Sequence, residues 1–169
     1  MLSADDVIRA LDLQPHPIEG GYFRETYRSA GQFPGDILPN FAVPRSVGTA
    51  IYYLLTPRAV SEMHRLPGDE VFHFYLGDPV RMLQLHPDGS HRTLTLGSDL
   101  LTGQVPQAVV PGGVWQGSHL LTGPHGYALL GATMAPGFDY ADYATGGRTD
   151  LTARWPAAAD LIERLTPRG

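Results

Sequence analysis

Apolar residues in this chain fall into short runs separated by glycine and proline, the pattern of many brief strands joined by turns. The run Ala50-Ile51-Tyr52-Tyr53-Leu54-Leu55 is apolar throughout and predicts a strand buried on both faces. Glu70-Val71-Phe72-His73-Phe74-Tyr75-Leu76 predicts another, stopped by Gly77-Asp78-Pro79. Residues 80–85 and 92–96 flank His86-Pro87-Asp88-Gly89-Ser90 and predict a hairpin. Segments 22–28, 108–110, 113–121 and 127–134 bring the set to roughly eight or nine strands. Helices are predicted only near the ends. Ser3 caps one over 3–13, with Asp5 and Asp6 at its positive end, and Pro15 and Pro17 stop it. Pro156 opens a second over 156–165, with Leu161, Ile162 and Leu165 as its packing stripe. Between residues 29 and 44, Gly31, Pro34, Gly35, Pro39 and Pro44 predict a loop along a sheet edge. The fold class is all-β: an antiparallel double-sheet jelly roll with a short helix near each terminus, residues 1–169 forming one domain.

Composition narrows the chemistry. The chain has no cysteine, which excludes disulfides, thiolate nucleophiles and iron–sulfur clusters. All 12 basic residues are arginine, so Schiff-base chemistry, pyridoxal phosphate and P-loop NTPase chemistry lack their lysine. Neither Gly20-Gly21 nor Gly112-Gly113 precedes a helix as a phosphate cradle must, and NAD is not expected. A net charge of -5 with dispersed arginines argues against a nucleic-acid partner. No apolar run is long enough for a membrane, no secretory signal is visible, and a cytoplasmic location is the expectation.

The residues that carry chemistry cluster in two stretches. In Ser61-Glu62-Met63-His64-Arg65-Leu66-Pro67-Gly68-Asp69-Glu70, His64, Glu70 and the later Gly77 match the first motif of cupins, with Leu66 where a second histidine usually stands. Pro111-Gly112-Gly113-Val114-Trp115-Gln116 is similar to the second motif, with Gln116 replacing its histidine. Together with His16-Pro17-Ile18-Glu19-Gly20-Gly21-Tyr22, Glu25-Thr26-Tyr27 and Ala135-Pro136-Gly137-Phe138, these motifs resemble the cupin 5 family, formerly a domain of unknown function, within the RmlC-like cupins. The resemblance runs over about 16–143. It implies a double-stranded β-helix barrel, a homodimer and a pocket inside the barrel.

Strand alternation refines the site. Glu70, Phe72 and Phe74 share one face and His73 the other, so a lumenal Glu70 excludes His73. Gln116 and Ser118 face together, opposite Trp115 and His119, unless a bulge at Gly117 intervenes. Alternation leaves open which face of 22–28 and of 80–85 lines the pocket, and which of Tyr52 and Tyr53 does. The expected site is therefore His64 and Glu70 as catalytic pair, with Gln116, Ser118, Arg24, Tyr52, Phe72 and Phe74 around the ligand. His64 acts as base, oriented by Glu70 or Asp69, in isomerase- or epimerase-type chemistry on a sugar, nucleotide or similar polar metabolite. Two alternatives stand beside it. One is a metal-dependent lyase or oxygenase with a divalent transition metal on His64, Glu70 and Gln116; the other is a non-catalytic metabolite-binding protein.

Overall fold

The structure, a computed structural model, describes residues 2–34, 41 and 44–167. Among the described residues there are thirteen strands: β1 (Gln14–Pro15), β2 (Tyr22–Arg28), β3 (Gln32–Phe33), β4 (Arg45–Ser46), β5 (Thr49–Leu55), β6 (Ser61–Arg65), β7 (Glu70–Gly77), β8 (Val80–Leu85), β9 (His91–Leu96), β10 (Gln107–Val110), β11 (Trp115–Leu120), β12 (Ala128–Met134) and β13 (Ala144–Thr145). They form a six-stranded sheet ordered β1-β2-β5-β12-β7-β10 and a five-stranded sheet ordered β13-β6-β11-β8-β9, with β3 and β4 paired separately. Neighbouring strands within each sheet are antiparallel. This is the jelly roll that the short, turn-marked strands predict.

The two sheets close over an apolar core. Tyr53, Leu55, Phe72, Leu130 and Ala132 from the first sheet meet Val80, Met82, Leu96 and Leu120 from the second. A fully buried aliphatic side chain here contributes about 1.5–3 kcal/mol. Met82 and Gln84 thus face inward from β8, while Leu83 and Leu85 face outward into a second cluster with Trp155, Ile162 and Leu165. Helix α1 (Ala4–Leu11) packs Val7 against Leu54 and Leu129 on the outer side of the six-stranded sheet. Its start is a reciprocal cap in which the Ser3 hydroxyl accepts from Asp6 N–H and Asp6 accepts from Ser3 N–H.

The predicted hairpin is present, with β8 and β9 in register and His86 N–H donating to Ser90 O. The C-terminal helix is shorter than predicted: Pro156–Ala158 is a 3₁₀ turn leading into a helix over Ala159–Arg164. A further helix, Arg148–Arg154, precedes it and was not anticipated, because Gly147 gives it no side-chain cap and Leu151 is its one buried residue. The predicted edge loop contains β3, and its residues 35–40 and 42–43 lie outside the described residues.

Candidate functional site

Between the sheets, beside the apolar core, lies a cavity of about 70 Å³. That is roughly the share of two water molecules in the liquid. Its polar lining is His16, Glu19, Glu25, Arg28, Thr49, His64 and Glu70; Phe23, Ile51, Ala132, Met134, Phe138 and Tyr140 supply most of the remaining wall.

Glu19 reaches this cavity because of the turn that follows it. Gly20 and Gly21 have φ of 93° and 70°, and a Cβ on either would collide with the carbonyl oxygens of Val60 and Leu54. The glycines let the turn press onto the barrel, where Glu19 O accepts from Glu62 N–H at 2.9 Å. The Glu19 carboxylate accepts from the Ser61 hydroxyl and stands 3.9 Å from His64 Nε2. Residues three apart on a strand normally face opposite ways. Here β6 carries one extra residue between its pairings of Ser61 with Ser118 and of His64 with Gln116, and both side chains turn to Glu19.

The hydrogen bonds fix the tautomers of two imidazoles. His64 Nδ1 lies 2.7 Å from the carbonyl oxygen of Glu62, which only accepts, so Nδ1 carries the proton. Neutral His64 therefore presents a lone pair on Nε2. His16 is the opposite: its Nδ1 accepts from Glu19 N–H at 2.8 Å, so its proton sits on Nε2, 4.0 Å from Glu19 Oε2. Burial holds the His16 imidazolium below its usual range, against the pull of Glu19. The Tyr143 ring stacks on His64 with centroids 4.9 Å apart and planes 13° apart.

Glu70 opens β7 and is buried, and Gln116 Nε2 donates to its Oε2 at 2.6 Å. Burial raises its carboxyl from 4.5 to about 7, with the Glu19 charge adding to the rise and the His64 charge and the Gln116 bond opposing it. A carboxylic acid half-protonated near neutrality is a competent proton donor. No direct hydrogen bond or ion pair joins Glu70 to His64; they act on each other through space across the cavity.

Other expected site residues are placed differently. Arg24 and Tyr52 lie on the outer face of the six-stranded sheet, the guanidinium 5.8 Å from the Tyr52 ring centroid, because Phe23 and Glu25 are the inward residues of β2. Tyr53, not Tyr52, points inward, and its hydroxyl donates to Gly20 O at 2.9 Å. Burial drives that phenol well above its usual range, so it stays neutral but committed. Phe72 belongs to the apolar core and Phe74 packs against it, neither lining the cavity. Ser118 faces inward with Gln116, its hydroxyl buried without a hydrogen-bond partner among the described residues. His73 is on the outer face, bonded to Thr133 and Gln107. Asp69 does not orient His64; it accepts from Gly112 N–H at 2.8 Å.

The donor set does not fit a transition metal. Among the described residues no three His, Asp or Glu side chains converge to hold an ion. His16 uses Nδ1 to accept from Glu19 N–H and carries its proton on Nε2, and Glu70 and Gln116 are bound to one another. His64 would be the one imidazole in a shell that favours several. Sequence reasoning placed His16 and Glu19 in a turn and omitted them; the signal available was their position in a motif of the resemblance.

A family model described as "Cupin superfamily (DUF985)" matches residues 5–146. An uncharacterised protein of Saccharomyces cerevisiae is 34% identical over 135 residues, covering 74% of this chain and 66% of that protein, just under two thirds of its length. A hypothetical protein from Leishmania major superposes with a TM-score of 0.89 at 30% identity, covering 99% of this chain and 100% of that one. Protein SO0799 from Shewanella oneidensis gives 0.87 at 34% identity, with 100% of both chains covered. Oxalate decarboxylase from Bacillus subtilis aligns at a TM-score of 0.55 and 16% identity over 94% of this chain and 38% of that one, a likeness of fold alone. No helix among the described residues is long and apolar enough to cross a membrane.

Proposed function

The chain belongs to the Cupin_5 family of the cupin superfamily, and we propose that it binds a small polar molecule in the barrel cavity and moves protons on it, as isomerases and epimerases do. The observation that carries this reading is the free Nε2 of His64 facing a cavity shared with a half-protonated Glu70. His64 Nε2 accepts a proton from the bound molecule, and Glu19, 3.9 Å from that nitrogen, stabilises the imidazolium that results. Glu70 delivers a proton to the oxygen or carbon that has gained charge. Its Gln116 partner suits both states: the amide nitrogen donates to the carboxylate, and a turned amide oxygen accepts from the acid. Leu66, Ala132 and Met134 are buried in the wall and limit water at the inner end of the cavity.

Solvent labelling tests this. Pools of small polar metabolites incubated with the protein in deuterium oxide should show one compound gaining deuterium at carbon, and a His64→Gln variant should lose that activity. Equal labelling by the variant contradicts the assignment.

The assembly we propose is a homodimer through the outer face of the six-stranded sheet. Tyr75, Leu76 and Val109 are exposed there, and Arg24 Nε is buried without a hydrogen-bond partner among the described residues. Beside them α1, Tyr52 and Leu129 border an apolar groove of about 520 Å³. A second copy would bury this surface, which one barrel leaves uncovered. Light scattering at micromolar concentration should give twice 18.3 kDa; the mass of one chain overturns the dimer.

A further inference from the structure

Acidic groups outnumber guanidinium groups in the cavity lining. Its wall holds Glu19, Glu25 and Glu70 against a single guanidinium, Arg28. Arg28 is paired within the chain: Nε and one terminal nitrogen donate to the two oxygens of Glu25 at 2.9 and 2.7 Å, and that terminal nitrogen also donates to Phe138 O at 3.1 Å. Burial keeps His16 toward its neutral form, so the lining sets three carboxyl groups against Arg28 and His64. Five groups register the charge of Glu19, and two of them, Glu70 and Tyr140, line the cavity. Tyr53, Glu62, Glu70, Tyr140 and Tyr143 all titrate above their ordinary ranges, burial first, with Glu19 adding to each. Among the described residues, the one guanidinium on the wall is already paired with Glu25, a poor start for binding a phosphate or carboxylate.

The apolar half of the wall is aromatic. Phe23 lies edge-on to His16 at 4.7 Å, and Phe138 meets Tyr140 at 4.9 Å, also edge to face. Rings surrounding a carboxylate-lined pocket attract an organic cation through their quadrupoles, while the carboxylates supply its counter-charge.

We infer that the ligand of this cavity is a small organic cation, a protonated amine whose ammonium group lies between Glu19 and the Phe23, Phe138 and Tyr140 rings. The inference rests on the acid–base reading of the same cavity and selects its substrate class, setting amines above the sugar phosphates and nucleotides that the polar pocket alone would admit. Glu25 and Arg28 are exposed members of the lining, so the rest of such a molecule extends past them toward solvent.

Three probes of nearly equal shape separate the charge states: propylammonium, propan-1-ol and propionate. Their binding is followed by imidazole NMR of His64 and His16 in the wild-type protein. Propylammonium should bind at least about tenfold more tightly than the alcohol, and propionate should not bind. Glu19→Gln should remove the preference for the cation while the alcohol still binds. Propionate binding as well as propylammonium overturns the substrate class and leaves the acid–base site standing. Preference for the cation surviving in a folded Glu19→Gln protein also overturns the placement of the ammonium group. Absence of response to all three probes contradicts both the substrate class and the cavity as a ligand site. The comparison within the wild-type protein decides the sign of the charge even where the variant does not fold.

Discussion

Glu70→Gln is expected to stabilise the folded chain at pH 8 by up to about 3 kcal/mol, and to change little at pH 4. The native Glu70 carboxyl titrates at about 7, against 4.5 when unperturbed. Between those values the folded state holds a proton that the unfolded state releases. The stability Glu70 contributes is therefore complete below about 4.5 and declines as pH rises through about 7. Glutamine stays neutral throughout and keeps an acceptor for Gln116, so its advantage grows across that window. His119 acts in the opposite sense: burial, with Arg164 and Arg81 nearby, lowers it from 6.5 to about 4, and its contribution falls as pH drops. His119 is common to both proteins, which is why the difference between them isolates Glu70. Denaturant unfolding of the two proteins from pH 4 to 8 measures it; parallel curves would show that Glu70 is ionised in the native state at neutral pH. The same substitution removes the proposed proton donor, so the more stable protein should be the less active one.

His64→Gln should slow solvent labelling by about 10²–10⁴-fold, the usual contribution of a positioned general base. Its stability should fall far less, because glutamine fills most of the space and its amide can still donate to Glu62 O. His64→Ala is a different case. The imidazole is 1% exposed, donates to a backbone carbonyl and stacks on Tyr143. Its deletion leaves a void and an unsatisfied carbonyl, costing about 2 kcal/mol or more. A pocket-lining residue with water on one side would tolerate alanine with little loss, but His64 is more enclosed than that. The glutamine variant is thus the informative one. A folded His64→Gln protein that labels at the wild-type rate would remove His64 from the chemistry.

The barrel was legible in the sequence wherever its strands are apolar. β5, β7, β8 and β12 announce themselves because they build the core, and the β8–β9 turn carries explicit turn chemistry. β6 was missed for a physical reason: Ser-Glu-Met-His-Arg feeds a polar cavity, so it has almost no hydrophobic signal. Alternation correctly separated Glu70 from His73, and Gln116 with Ser118 from Trp115. It was silent on β2, where Tyr22 packs toward α1 while Phe23 packs against the core and lines the cavity. Glu19 was beyond reach of local rules. Its role depends on a positive-φ turn pressed against Val60 and on Ser61, far along the chain, turned inward by an irregularity in β6.

The central claim is that His64 offers an unprotonated Nε2 to the cavity. Long-range ¹H–¹⁵N correlation spectra of the imidazoles at alkaline pH read this directly, since the two neutral tautomers have distinct nitrogen shifts. The structure predicts His64 with its proton on Nδ1, held by Glu62 O, and His16 with its proton on Nε2. A neutral His64 carrying its proton on Nε2 would contradict the account, for the base would then have no lone pair facing the ligand.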